Sequence, residues 1–239
     1  MQTPTFYEPT LTATLQVITL QAATALHCTK VLRMTAGANL LLTNGQGLQA
    51  QATIVSIHKS ATVVSVNNSL QHTAPKVQHS IAISLQKNVS RTEWFVEKAT
   101  ELGVANIIPL LCKRTERQFF KYERLHTIMV SAMLQSHQTF LPTLHLPIAY
   151  TQLLAENKVL NNYIAHCETD KPKMLFTDLI SAQHNNSLIL IGPEGDFTNT
   201  EIQQAVAANY IPVSLGSTRL RTETAGVVAA TLLQLYSTQ

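Results

Sequence analysis

Two short stretches near the end of the chain carry the residue types that could do chemistry. LIGPEGDFTNTEI, Leu190–Ile202, breaks an apolar run with glycine, proline, an acid and glycine again. VSLGSTRLRTETAG, Val213–Gly226, ends a second apolar run with glycine, then Arg219 and Arg221, then a Thr-Glu-Thr helix start. Glycines let backbone close around a flat or bulky ligand, and Pro193 stiffens the first loop. A nucleotide phosphate is a poor fit. Neither G-x-x-x-x-G-K-[ST] nor a strand-following G-x-G-x-x-G is present, and Glu194 would repel phosphate at a helix N-terminus. A ligand carrying positive charge tolerates that acid. By itself the first stretch could equally be a structural turn whose glutamate caps amides; the second stretch shifts the balance to a ligand site.

Other chemistries find less support. Cys28, Cys112 and Cys167 are scattered, and no CxxC or HxxxH spacing occurs among the cysteines and nine histidines. That pattern predicts no metal site and reduced thiols, as in a cytoplasm. No apolar run approaches the ~20 residues that cross a bilayer, so no membrane association is expected. The N-terminus MQTPTFYEPT lacks the basic start and apolar segment of a signal peptide. The net charge is +3, and its distribution matters more than its size. KRTERQFFKYER, residues 113–124, sets Arg114, Arg117, Lys121 and Arg124 among Phe119, Phe120 and Tyr122. Basic residues interleaved with aromatics suit a phosphate backbone and unstacked bases; the alternative is a solvated helix start whose aromatics face a core.

The elements that must position these residues fall into two patterns. Apolar residues make up 45% of the 239, enough for a sizeable core, while charged residues are only 13%, so threonine, glutamine and asparagine cover much of the surface. The first seventy residues read as short β-branched strands, TLQVITL, NLLLT, QATIVSI and ATVVSV. Asn44-Gly45 is a turn between two of them. ALHCTKVLRM, bearing Lys30 and Arg33, reads as a short helix, and residues 67–79 as a polar linker. Beyond it strands and helices alternate. RTEWFVEKATELG is a helix ending at Gly103, and a second helix runs from Tyr122 up to Pro142. Thr198 with Glu201 forms a capping box. Alternation of this kind predicts a parallel sheet with helices on its faces, and ligands at the carboxyl ends of its strands. Three loops stand there: Pro109 to Arg114, Gly192 to Phe197, and Gly216 to Thr222. The last two are expected to lie side by side.

LIGPEGDFTNTEI and VSLGSTRLRTETAGVVA closely resemble the paired C-terminal motifs of the bacterial ribosomal small-subunit RNA uridine-N3 methyltransferases, of the knotted SPOUT class. HCTKVLRM and LTNGQG resemble that family's N-terminal part, and EWFVEKATELGVANIIPLLCKR and AMLQSHQTFLP its middle. The resemblance implies an α/β protein: a PUA-like RNA-binding β-barrel over 1–72 and a SPOUT parallel α/β domain over 73–239, with a deep trefoil knot near 188–226. It implies S-adenosylmethionine as cofactor, bound at Pro109, Leu110 and Leu111, at Ile191, Gly192, Pro193, Glu194 and Gly195, and at Leu215, Gly216, Leu220, Arg221, Thr222, Thr224 and Ala225. It further implies a homodimer acting on N3 of one uridine of 16S ribosomal RNA, within the small subunit. Where relatives carry N-terminal arginines this chain has Gln2 and Thr5, and Leu134, His137 and Gln138 also depart from the pattern; Gly195-Asp196 stands for Gly-Gly.

N3 lies on the Watson–Crick edge of uracil, so the base must be unpaired or flipped out. Its proton must leave before or during methylation. Arg221 is the candidate to stabilise the resulting anion on O2 and O4, since its planar fork suits two acceptor oxygens. Glu223 is the candidate to orient Arg221 or take a proton; otherwise it is a first-turn acid complementing the helix dipole. Lys30, Arg33, Lys87, Arg91, Arg114, Arg117, Lys121 and Arg124 are the expected RNA contacts. A non-catalytic RNA-binding assembly factor, and a SPOUT methyltransferase acting on transfer RNA, are the alternatives.

Overall fold

A computed structural model describes residues 3–14, 16–58, 61–116, 119–168, 172–180 and 185–237. Two compact units emerge, Met1–Ala74 with Met133–Leu141, and Pro75–Ala132 with Pro142–Gln239. From sequence, residues 73–239 were expected to stay together. The stretch 133–141 joins the first unit because its backbone is hydrogen-bonded there. Leu141 N–H donates to the Gly45 carbonyl and Gly47 N–H to the Thr139 carbonyl, each at 2.8 Å. Phe140 occupies the space where a side chain on Gly47 would stand, and Gly47 has φ 86°.

The first unit holds strands β1 (Thr5–Tyr7), β2 (Val17–Thr19), β3 (Asn39–Thr43), β4 (Leu48–His58) and β5 (Ala61–Gln71). Helix α1 (Ala22–Leu26) runs into a π-helical turn, His27–Val31. The sheet order is β1-β3-β4-β5-β2, antiparallel except where β1 lies parallel to β3. Asn44 Oδ1 closes the β3–β4 turn by accepting the amides of Gln46 and Leu48, at 2.8 and 3.2 Å. Alternate residues, among them Leu40, Leu42, Ala50, Ala52, Ile54, Val64 and Val66, point into one core, as the two-residue period of a strand requires. The polar run from Asn67 belongs to β5 rather than to the linker: Asn68 pairs with Gln51 and Ser69 with Ala50. A register shift between Gln51 and Ala52 bends that long hairpin.

The second unit alternates as the sequence predicts: β6 (His79–Ser84), α2 (Val89–Glu101), β7 (Asn106–Leu111) and α3 (Tyr122–Gln135), then β8 (Thr143–Leu144), β9 (Ile148–Ala149) and α4 (Tyr150–Glu156). There follow β10 (Asn161–Ala165), β11 (Met174–Leu175), α5 (Phe176–Ile180), β12 (Ser187–Ile191), α6 (Asn199–Ala207), β13 (Ile211–Ser214) and α7 (Thr222–Ser237). The short β8, β9, β11 and α5 leave too little periodicity to read, and α4 was also missed. Helix α3 stops at Gln135, short of Pro142, and His137 turns the chain at φ 56°. All strand pairs are parallel, in the order β11-β13-β10-β12-β6-β7-β8, with β9 beside β7.

β6 and β12 are buried along their whole length, so both faces must be covered. On one face Ala82, Ile108, Ile164, Leu188 and Leu190 meet Tyr150 and Leu153 of α4 and Ile202 and Ala205 of α6. On the other, Tyr163 packs edge-on against Phe176 of α5, centroids 5.0 Å apart. There Gly226 of α7 leaves no room for a methyl group: an added Cβ would lie 2.6 Å from the Phe95 ring and 2.9 Å from Ile83. The Thr198–Glu201 capping box is formed, and Asn88 caps α2 by accepting the Ser90 amide at 3.0 Å. No helix among the described residues is long and apolar enough to cross a membrane.

Candidate active site

A cavity of about 690 Å³ opens at the carboxyl ends of β12, β10 and β13. Its volume lies in the usual range of small-molecule sites. β10 lies between β12 and β13, so the strands that carry the two glycine loops are not neighbours, yet the loops meet, as the sequence suggested, around one cavity. The middle wall is the loop after β10, with Ala165, His166 and Cys167. That loop carries no glycine or motif, which is why reading the sequence passed over it. Lys173, Asp196, Ser217, Thr218 and Arg219 also line the cavity and were likewise not singled out as cofactor contacts.

Ile191, Gly192, Pro193, Glu194, Leu215, Gly216, Leu220, Arg221, Thr222 and Ala225 line the cavity as expected from sequence. Pro109, Leu110 and Leu111 do not: they belong to β7, separated from β12 by β6. Leu110 is fully buried in the sheet's core. Gly195 and Thr224 stand outside the lining.

The Gly192–Phe197 loop is fixed by four other segments. Thr222 Oγ1, at the start of α7, donates to the Gly192 carbonyl at 3.0 Å. The Lys87 backbone amide donates to Glu194 Oε1 at 3.3 Å. Arg114 Nη1 donates to the Gly195 carbonyl at 2.6 Å and to that of Phe197 at 3.5 Å. The Cys167 amide donates to Asp196 Oδ2 at 2.8 Å, tying the β10 loop to the glycine loop, while the Phe197 amide donates to Asp196 Oδ1 at 2.8 Å. Asp196 sits at φ 62°, a left-handed conformation that favours glycine. Its carboxylate therefore offers bonds that the usual glycine could not. The two cavity glycines differ. A Cβ on Gly192 would press on the Phe197 ring at 3.0 Å, so its bareness serves packing. Gly216, at φ 134°, has nothing within 4 Å of an added Cβ, so its bareness serves backbone shape and cavity space.

The charges around the cavity are mixed: Glu194 and Asp196 against Lys173, Arg219 and Arg221. Lys173 Nζ donates to the His166 carbonyl at 3.1 Å. Partial burial, and then the Asp196 charge, raise the Cys167 thiol against the opposing pull of Arg219 and Lys173. Glu223 is absent from the lining; it is 7% exposed, faces Arg91 Nε at 3.6 Å through Oε1, and its Oε2 has no hydrogen-bond partner among the described residues. It thus meets a residue of α2 rather than Arg221.

Of the expected RNA contacts, Lys30 and Arg33 are exposed on the first unit, beside exposed Leu26, Val31 and Leu32. In the second unit Lys87 pairs with Glu116 at 2.8 Å, Arg124 makes two bonds to Glu93 at 3.0 and 2.9 Å, and Lys121 lies 5.1 Å from the Phe119 ring centre. Arg117 lies outside the described residues. Among the described residues no three His, Cys, Asp or Glu side chains gather to hold a metal ion.

Known proteins resemble this chain in sequence and fold. Residues 73–234 match the RNA methyltransferase domain family, and residues 20–66 the RNA methyltransferase PUA domain family. The ribosomal RNA small subunit methyltransferase E of Rickettsia conorii is 30% identical over 86% of this chain and 84% of its own. The chain belongs to the ribosomal RNA small subunit methyltransferase E family. A solved member of the methyltransferase E family, from Neisseria gonorrhoeae, is bound to S-adenosyl methionine; it superposes with a TM-score of 0.86 at 26% identity, covering 98% of both chains. The crystal structure of a probable rRNA-methyltransferase from Porphyromonas gingivalis gives 0.91 at 35% identity, again over 98% of both.

Proposed function

We propose that this chain is an S-adenosylmethionine-dependent methyltransferase that modifies N3 of a single uridine in 16S ribosomal RNA, within the small subunit. The observation that carries the reading is the cavity walled by Gly192–Asp196, Ala165–Cys167 and Leu215–Ala225 at the carboxyl ends of three neighbouring parallel strands. Its residues fit that cofactor. Glu194 and Asp196 accommodate a sulfonium and an ammonium, Lys173, Arg219 and Arg221 a carboxylate, and bare Gly216 leaves space for a purine-sized group. When bound, S-adenosylmethionine supplies the methyl group from its sulfonium. The family resemblance supports a trefoil knot near 188–226, a homodimer and a cytoplasmic setting as parts of the same reading.

Arg221 is exposed at the cavity wall, and its guanidinium favours the uracil anion by offering donors to O2 and O4. Glu223, nine-tenths buried, sets Arg91 rather than the reacting base. Arg114, spent on two carbonyls of the glycine loop, shapes the cavity as well as adding charge. Lys30 and Arg33 with their apolar neighbours supply an RNA-facing surface on the first unit, where backbone phosphates and unstacked bases would both find partners.

Calorimetry with S-adenosylmethionine tests the reading. Binding is expected, with a rise in Tm that grows with ligand concentration by mass action. Absence of binding would favour the assembly-factor alternative.

A further inference from the structure

A second, polar groove of about 550 Å³ adjoins the cavity, lined by Lys87, Asn88, Val89, Arg91, Glu116 and Glu194. Glu194 is the residue that lines both spaces. We infer that the target uracil is held in this groove and that Glu194 is the catalytic base that takes its N3 proton; the inference rests on the methyltransferase reading above and names the residue behind its proton step.

The other carboxylates nearby are committed. Asp196 receives the amides of Cys167 and Phe197 on its two oxygens. Glu116 is bonded to Lys87 Nζ at 2.8 Å, and Glu223 is buried against Arg91. Glu194 is exposed, and only Oε1 is engaged among the described residues, by the Lys87 amide at 3.3 Å. That single bond fixes the carboxylate at the boundary without using up its second oxygen. Pro193 and the Arg114 bond to Gly195 hold the backbone on either side. Lys87 and Arg91, each already facing a carboxylate, Glu116 and Glu223, keep further N–H donors that a nucleotide phosphate or the uracil carbonyls can share. A base must reach N3 from the side where the methyl donor lies, and a residue shared by both spaces meets that condition.

The step balances. The N3–H bond breaks and its proton passes to a Glu194 oxygen, leaving the negative charge spread over O2, N3 and O4. The N3 lone pair then forms the N–CH3 bond as the S–CH3 bond breaks, and that electron pair stays on sulfur as a neutral thioether. The Glu194 proton leaves to water through the open groove.

Glu194→Gln keeps an oxygen to accept the Lys87 amide and removes the base. At saturating cofactor and neutral pH, single-turnover methylation of unmodified small subunits is expected to slow by roughly 10²-fold or more. Its rate should rise about tenfold per pH unit as N3 ionises without help, while the unaltered protein shows a flatter profile. Calorimetric affinity for S-adenosylmethionine should weaken by about tenfold at most, since Glu194 also faces the cofactor's positive charge, while the rate loss persists at saturating cofactor. With S-adenosylhomocysteine present, the unaltered protein should bind a uridine oligonucleotide about tenfold tighter than its N3-methyluridine counterpart, on the scale of one charged hydrogen bond, and the variant should lose most of that preference. An unchanged rate and pH profile, or a loss explained wholly by weaker cofactor affinity, would overturn the assignment. Failure of the unaltered protein to bind cofactor or to form N3-methyluridine would instead remove the methyltransferase reading itself.

Discussion

Asp196 ties together two walls of the cavity, and its substitutions separate what the carboxylate does from what the backbone costs. The residue holds φ 62°, which for a non-glycine residue costs roughly 1 kcal/mol. Against this stand two hydrogen bonds of 2.8 Å to a carboxylate. Such bonds contribute about 1.5–3 kcal/mol each when buried, and the Cys167 bond is exposed, so about 2–3 kcal/mol for the pair is a fair sum. Asp196→Ala loses the bonds and keeps the strain, and should destabilise by about 2–3 kcal/mol. Asp196→Gly loses the bonds and relieves the strain, and should cost about 1 kcal/mol less than alanine. Asp196→Asn keeps one acceptor and should fall between glycine and the unaltered protein. Urea unfolding of the three variants measures these differences, and calorimetry measures S-adenosylmethionine affinity. Glycine should weaken affinity about tenfold, because the Ala165–Cys167 wall loses its tether to the glycine loop. A glycine variant as stable as the unaltered protein, with equal affinity, would show that the carboxylate fixes nothing.

Other consequences can be measured separately. Gly192→Ala should cost about 1–3 kcal/mol in the unliganded protein, because the new methyl meets the Phe197 ring, yet leave a cofactor-induced rise in Tm; Gly216→Val should abolish that rise. Arg221→Ala should leave cofactor affinity nearly intact while slowing single-turnover methylation by roughly 10²–10³-fold, and Arg221→Lys should recover only part, since an ammonium lacks the fork; weak binding with normal turnover at saturation would make it a binding residue instead. His79, at the start of β6, is buried and held neutral, its pKa lowered by burial from 6.5 to about 4. The unfolded chain therefore binds the extra proton first, so stability is full above pH 6.5 and is lost as pH falls towards 4. The shift corresponds to roughly 3 kcal/mol at most, and His79→Gln should flatten that limb of the unfolding free energy against pH.

Much of the second unit is legible in its sequence because local signals agree with tertiary need. The Thr198–Glu201 capping box, Gly103 after α2 and the apolar runs of β6 and β12 each point to the element that forms. Strand order is different in kind. Nothing in Asn161–Ala165 tells that β10 inserts between β12 and β13, so Cys167 and Lys173 could not be assigned to the cavity, and Pro109–Leu111 were assigned to it although β6 stands between. Glu223 shows the same limit. Its place two residues from Arg221 suggests a partnership, but the turn of α7 aims it at Arg91. The transfer of residues 133–141 to the first unit rests on long-range backbone bonds to Gly45 and Gly47 that no periodicity announces.

The central claim is tested most directly by nucleoside mass spectrometry. Purified protein is incubated with S-adenosylmethionine and either small ribosomal subunits or transfer RNA from cells lacking the gene. One N3-methyluridine per 16S RNA, and none in transfer RNA, is the expected result. Methylation confined to transfer RNA, or no methylated uridine in either pool from a protein that binds the cofactor, would contradict the account.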